Sequence, residues 1–263
     1  LTKRFELLNK SDLNATDKIY QLIEDCQNFG TLAFSHAARA GFIAVTMLKS
    51  LVKTGCLSQE RMLEFQASVP TVASEFQSAL ADHNISTDDL IKQFGHLRPG
   101  TYDINQSAYW ENLSFYFVRS KQQRLTKNGC EHDFAFNPIE LQGLKEVLKQ
   151  LPVELEVEDF IEYMSKAIQA RESVKSNFTR NLSVALDLMI NYGMETLGLT
   201  REDVGFLTFD DIRAIRTGQI NERLLPEFVK IRKLAFAEQQ QAKLPSFISR
   251  EEDFFGFEQE KSE

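Results

Sequence analysis

The sequence predicts an all-α, multi-helix fold, and three observations carry that prediction. Apolar residues recur at helical spacing through most of the chain. Helix breakers are sparse, with 12 Gly and 6 Pro in 263 residues. Residues that start and stop helices fall at the edges of the periodic segments. A composition of 43% hydrophobic and 26% charged residues is that of a globular chain, not a disordered one.

Taken in order, helices are expected at 2–9, 15–29, 32–54, 58–81, 86–95, 137–150, 157–196, 200–205, 208–216 and 221–241. Gly30, Gly55, Gly95 and Gly218 stand where helices should stop. Ser58 and Ser86 are placed as N-caps, with Asp89 completing the pattern after Ser86. Asn137 before Pro138 is an N-cap followed by the one helical position that favours proline. Thr208 precedes Asp210 and Asp211, whose charge suits a helix N-terminus. Pro99-Gly100 is expected at the centre of a type II turn. Residues 105–136 are the least regular, and Phe115–Val118 with Phe134–Phe136 are read as at most a minor β-hairpin near 114–136. The chain divides on this reading into a lobe at 1–136, a lobe at 137–245 built on the long helix, and an acidic, Phe-rich tail at 246–263.

The bulk charge narrows the function classes. A net charge of −8 disfavours sequence-independent nucleic-acid binding, which rests on basic surface. The cysteines, Cys26, Cys56 and Cys130, have no metal-ligand spacing, and their sparse, odd count fits a reducing, cytoplasmic compartment. No apolar run is expected to approach the ~20 residues that cross a bilayer. The chain opens on Leu1 inside a helical pattern, as a piece of a longer protein would.

Charge at apolar positions is the main chemical signal. Residues 33–52 are apolar nearly all round and are expected at the centre of the core, yet they carry His36 and Arg39 on one side. In the long helix, Arg171 falls inside the stripe formed by Phe160, Met164, Ala167, Val174, Phe178, Leu182, Ala185 and Met189. Lys175 lies at the edge of that stripe, and Glu172 and Arg180 on its flanks. Burying a lone cation costs several kcal/mol, so these cations need anionic partners. The partners are either protein carboxylates, such as Glu172 or Asp103, or a ligand phosphate or carboxylate gripped by Arg. A fifth cation, Arg98, sits in Phe94-Gly95-His96-Leu97-Arg98-Pro99-Gly100-Thr101-Tyr102-Asp103-Ile104, where a turn gathers polar side chains. His36 and His96 are weak acid–base candidates, since His titrates near neutrality. Phosphate-binding glycine loops, the GxSxG elbow and HExxH are all absent.

Four stretches together resemble one family: 26–51 (CQNFGTLAFSHAARAGFIAVTMLKSL), 94–104 (FGHLRPGTYDI), 170–189 (ARESVKSNFTRNLSVALDLM) and 199–212 (LTREDVGFLTFDDI). The chain is similar to the helical middle portion of phosphoenolpyruvate synthase and pyruvate phosphate dikinase-like phosphotransferases, with rifampin phosphotransferases as more distant relatives. The resemblance implies an acceptor-binding and linker region between an ATP-grasp module and a swivelling phosphohistidine domain of the same polypeptide. ATP and Mg would belong to the ATP-binding module, with no cofactor or metal in this segment and no nucleic acid or membrane partner. The acceptor would be a small anionic or hydroxyl-bearing molecule. Position by position, the resemblance assigns acceptor or anion binding to His36, Arg39, Arg98, Tyr102, Asp103, Arg171, Glu172, Lys175, Arg180 and Asn181. It also implies that the isolated segment lacks activity. Two other readings stand beside it: a purely structural spacer whose cations are satisfied by Asp and Glu, and a stand-alone interaction module docking through Phe254, Phe255 and Phe257. The first reading expects Arg171 and Lys175 to converge with Arg39 and Arg98 in one cleft.

Overall fold

The computed structural model describes residues 1–117, 134–152, 154–243, 246–255 and 258–259. The fold is all-α. Its helices are α1 (Thr2–Asn9), α2 (Ala15–Asp25), α3 (Leu32–Lys53), α4 (Gln59–Ser68), α5 (Val72–Ala81), α6 (Thr87–Phe94), α7 (Leu113–Tyr116), α8 (Pro138–Lys149), α9 (Val157–Leu197), α10 (Arg201–Val204), α11 (Phe209–Arg216) and α12 (Leu225–Gln239). Among the described residues the one strand pairing is a two-residue antiparallel bridge, Ala242 with Gln259 and Lys243 with Glu258.

The caps sit where the sequence places them. Ser58 and Ser86 accept from the backbone N–H groups of Arg61 and Asp89. Asn137 with Glu140, and Thr208 with Asp211, each close a reciprocal capping box. Gly55 and Gly218 follow helix ends at positive φ, 78° and 71°. The expected helix at 58–81 is two helices, because Val69 is extended ahead of Pro70.

Gly30 does not end a helix. Cys26–Thr31 form a π-helical turn that joins α2 to α3 in one continuous helix. Gly30 is buried there because another chain segment comes close: a Cβ at this position would lie 2.5 Å from a ring carbon of Phe178. The joined helix, Ala15–Lys53, is long and apolar enough by length and composition to cross a membrane, which corrects the expectation that no apolar run reaches that size. Its most apolar window is only 17% buried. The expectation of a fully central helix is corrected for the same reason. One face of α3 (Gly41, Ala44, Leu48, Leu51) is buried, while Phe42 and Ile43 stay 59% and 48% exposed.

The chain forms two compact units, Leu1–Asp12 with Gln21–Ala185, and Leu13–Tyr20 with Leu186–Glu263. The division therefore falls within α9 and not near residue 137. Packing explains this: Leu144 and Leu148 of α8 share one core with Leu48, Met62, Phe65 and Met164. Arg61 also anchors the approach to α8. Its guanidinium donates to both carboxylate oxygens of Glu140 at 2.8 and 3.0 Å and to the Ala135 carbonyl, and lies over the Phe134 ring. Phe134 and Phe136 pack on Phe65.

The minor hairpin is not formed by the described part of 114–136. Leu113–Tyr116 make a helical turn, with the Phe117 N–H donating to the Leu113 carbonyl. Residues 118–133, including Cys130, lie outside the described residues, as does Phe257 of the tail. Glu251–Phe255 form a short 3-10 turn.

In the second unit, Ile19, Val204, Ile212, Leu225 and Val229 are buried. Arg232 grips Asp211 with two nitrogens, at 2.6 and 2.8 Å, and Lys233 donates to Asp203.

Candidate functional site

The polar stretch of α9 from Arg171 to Ser183 organises the first unit. A stripe of apolar residues carries the helix into the core, and Ser176, Thr179, Arg180, Asn181 and Ser183 interrupt it with polar groups that are buried or half-buried. Buried polar groups need partners, and the block after α6 supplies two of them, His96 to Ser176 and Arg98 to Ser183.

That block is folded back on itself. The Tyr109 and Trp110 N–H groups donate to the carbonyls of Leu97 and Gly95, closing the loop between them. Gly95 is required by close approach, since a Cβ there would meet the Ile91 carbonyl at 2.5 Å and the Trp110 ring at 2.8 Å. The hydrogen-bonded turn is Gly100–Asp103, not one centred on Pro99-Gly100, and Gly100 does not adopt positive φ. Its missing side chain makes room instead, because a Cβ would lie 3.0 Å from Asp103 Cβ.

Arg98 is buried at 6% exposure. Its Nε and Nη2 both donate to Ser183 Oγ, at 3.1 and 3.0 Å, and its Nη1 donates to the Gln106 carbonyl at 2.7 Å. Arg98 therefore clamps the block to α9. Asp103 is exposed and accepts from the Asn105 N–H, so no Arg98–Asp103 pair is needed to hold the turn. Tyr102 is 60% exposed, its ring edge-on to Phe178.

One turn of α9 before this clamp, Arg180 is half-buried and has no carboxylate partner among the described residues. Its Nη2 donates to the Gln93 carbonyl at 3.3 Å, and its Nε is buried without a partner. Burial lowers its pKa. Arg180 lines a pocket of about 190 Å³ whose wall also holds Gln93, Glu75, Glu172, Ser173, Ser176 and Asn177. Behind Ser176 lies His96, its Nε2 3.4 Å from Ser176 Oγ and its ring 2% exposed. Burial, reinforced by the Arg180 charge, pulls His96 down to about 4 against a weaker opposing bond from the Gln93 backbone. His96 is thus neutral near pH 7, which corrects its reading as a group titrating near neutrality.

The remaining residues are spread along the two long helices. Arg171 sits over the Phe42 ring at 5.2 Å, with Glu172 Oε1 3.9 Å from its Nε, beyond hydrogen-bond range. Lys175 is half-buried, with no carboxylate in ion-pair range among the described residues. His36 and Arg39 are exposed on α3. Asn181 is buried beside Cys26. Burial pushes that thiol up to about 12, the Asn181 side chain opposes the shift, and the Asp25 charge adds to it, so the cysteine is not nucleophilic.

The expected single cleft is not formed. Arg98 reaches α9 at Ser183, more than three turns beyond Arg171, which is about 18 Å of helix rise. Arg39 and His36 face outward on α3. Arg180 and Glu172 are brought into one pocket, with His96 behind it. Sequence reasoning missed Ser176 and Ser183, although small polar residues at buried phases of an apolar helix mark both. No protein-family model, curated protein or solved structure matches this chain.

Proposed function

We propose that this chain is the helical acceptor-binding and linker part of a multidomain, cytoplasmic ATP-dependent phosphotransferase, similar to phosphoenolpyruvate synthase and pyruvate phosphate dikinase. The observation that carries the proposal is the half-buried Arg180 guanidinium, which has no carboxylate of its own in a small polar pocket. A phosphate or carboxylate of the acceptor would fill that vacancy and recover the desolvation cost of the cation. Ser176 and Asn177 offer further polar groups at the wall, while Glu75 and Glu172 suit an acceptor hydroxyl. A fixed cation at the acceptor would also offset charge on the phosphoryl group as it transfers. His96, neutral and buried, fits the role of a wall and not of a proton carrier. ATP and Mg would be held by the ATP-grasp module, and the phosphoryl group delivered by a phosphohistidine domain.

The test is kinetic, in the full polypeptide. Arg180→Met is expected to raise the acceptor KM about 10- to 100-fold, the worth of a hydrogen bond to a charged group, and to leave the KM for ATP unchanged. An unchanged acceptor KM would overturn the proposal. A second reading, a structural spacer, is favoured by Arg98, whose guanidinium is engaged by Ser183 and Gln106. It predicts that Arg98 and Arg180 variants alter stability alone.

A further inference from the structure

A second concavity lies away from the Arg180 pocket and differs from it in character. It is an open groove of about 390 Å³, a size that suits a small ligand. Phe42, Ile43, Met47 and Leu51 of α3 form one wall, and Val147 and Leu151 beyond α8's core face form the other. Its only polar side chains are Thr46 and Ser50, and both hydroxyls are spent on their own helix: Thr46 donates to the Phe42 carbonyl at 2.8 Å and Ser50 to the Thr46 carbonyl at 3.0 Å. The trough therefore presents hydrocarbon to an occupant, with no acidic side chain in its lining.

Two cations stand next to its Phe42 end, outside the lining itself. The Arg171 guanidinium lies over the Phe42 ring, and its Nε is buried without a hydrogen-bond partner. Arg39, exposed on α3, stands one turn before Phe42 and Ile43. The 22 residues of α3 contain no Asp or Glu. From Phe42 to Leu51 the wall extends about 13 Å of helix rise.

We propose that this groove binds a medium-chain alkyl carboxylate, its hydrocarbon along α3 and its carboxylate on the Arg171 guanidinium. An apolar body is demanded by the walls, and a negative head by the cations at one end. A single negative charge fits better than two, because Glu172 lies 3.9 Å from Arg171 Nε and would repel a dianion. The inference does not rest on the Arg180 pocket.

The test is calorimetric titration of the chain with decanoate below its micelle concentration, with butyrate and decyltrimethylammonium as controls. Decanoate is expected to bind and to raise the unfolding midpoint by mass action, while butyrate lacks the body and the ammonium has the wrong charge. Ile43→Asp, at a position 48% exposed and so compatible with folding, should abolish binding. Arg171→Met should weaken decanoate about tenfold and leave decanol unaffected. Arg180→Met should change neither, which separates this result from the acceptor reading. The proposal is overturned if decanoate does not bind, if the ammonium binds as well, or if binding survives Ile43→Asp. It is equally overturned if the chain captures only anionic vesicles, or if Ile43→Asp instead dissociates a dimer.

Discussion

Residue by residue, the fold spends free energy on keeping certain polar groups dry, and His96 is the clearest instance. In the unfolded chain it titrates near 6.5, while burial holds it near 4 in the native state. Because the folded value is depressed, the native state binds the proton less readily. Stability is complete above pH 6.5 and declines as pH falls towards 4, by at most roughly 3 kcal/mol. His96→Gln should flatten that part of the curve, as measured by urea unfolding between pH 7 and 4. An unchanged slope would show that His96 keeps its solution pKa. The residue scale is also where the sequence was least informative. Arg98, Arg171 and Arg180 look alike in a pattern of buried cations, but one is engaged by a serine hydroxyl and a carbonyl, one rests on an aromatic ring, and one lacks a carboxylate. Which of these applies depends on Ser183, Phe42 and Gln93, all distant in the chain or invisible to helical periodicity.

At the scale of elements, the helices and their caps were legible because each rests on local chemistry. Ser58, Ser86, Asn137 and Thr208 all cap as their position in sequence requires. Apolar periodicity alone runs across Pro70 in 58–81, and aromatic runs near 114–136 suit strands as readily as short helical turns, so local pattern does not decide either element. The clamp between α9 and the block after α6 depends on one hydroxyl. Ser183→Ala would leave two Arg98 nitrogens without that acceptor in a buried site, and should cost about 1–3 kcal/mol. Chemical denaturation reads this directly. A loss below a few tenths would mean that the loop bonds of Tyr109 and Trp110 suffice to hold the block.

For the whole molecule, the sequence pattern suggests lobes at 1–136 and 137–245 with a tail, while the compact units run Leu1–Asp12 with Gln21–Ala185 and Leu13–Tyr20 with Leu186–Glu263, since a unit boundary is a property of packing between segments distant in sequence. Leu144 meets Leu48 and Met164 in one core, and nothing in the local pattern near residue 137 announces that. The second unit carries its own acid sensitivity. The Lys233 ammonium and the Thr200 hydroxyl and backbone hold Asp203 down to about 2, below its ordinary 3.8. With the folded value depressed, the contribution of this pair is present above pH 3.8 and is lost as pH falls through about 2. Asp203→Asn should remove that acid-dependent step from the thermal midpoint between pH 4 and 2, and 0.5 M salt should weaken it in the parent because the pair is partly exposed. An identical pH profile in parent and variant would contradict the pairing.

The π-helical turn at Cys26–Thr31 makes Ala15–Lys53 a rod with a built-in phase slip. A π turn holds one residue more than an α turn, so everything after it is rotated by about 100° relative to an uninterrupted α-helix. Ala44, Leu48 and Leu51 face the core only because of that slip. Deleting Asn28, an exposed residue bonded only to Glu24, would restore α geometry and turn those three away from Phe160 and Met164. Asn28→Ala should be nearly neutral, whereas the deletion should abolish cooperative unfolding. Equal stability of the two would mean that the rod absorbs the lost residue elsewhere. In a helix of this kind, length is information: a chain can tolerate any side chain at a position and still not tolerate the position's absence.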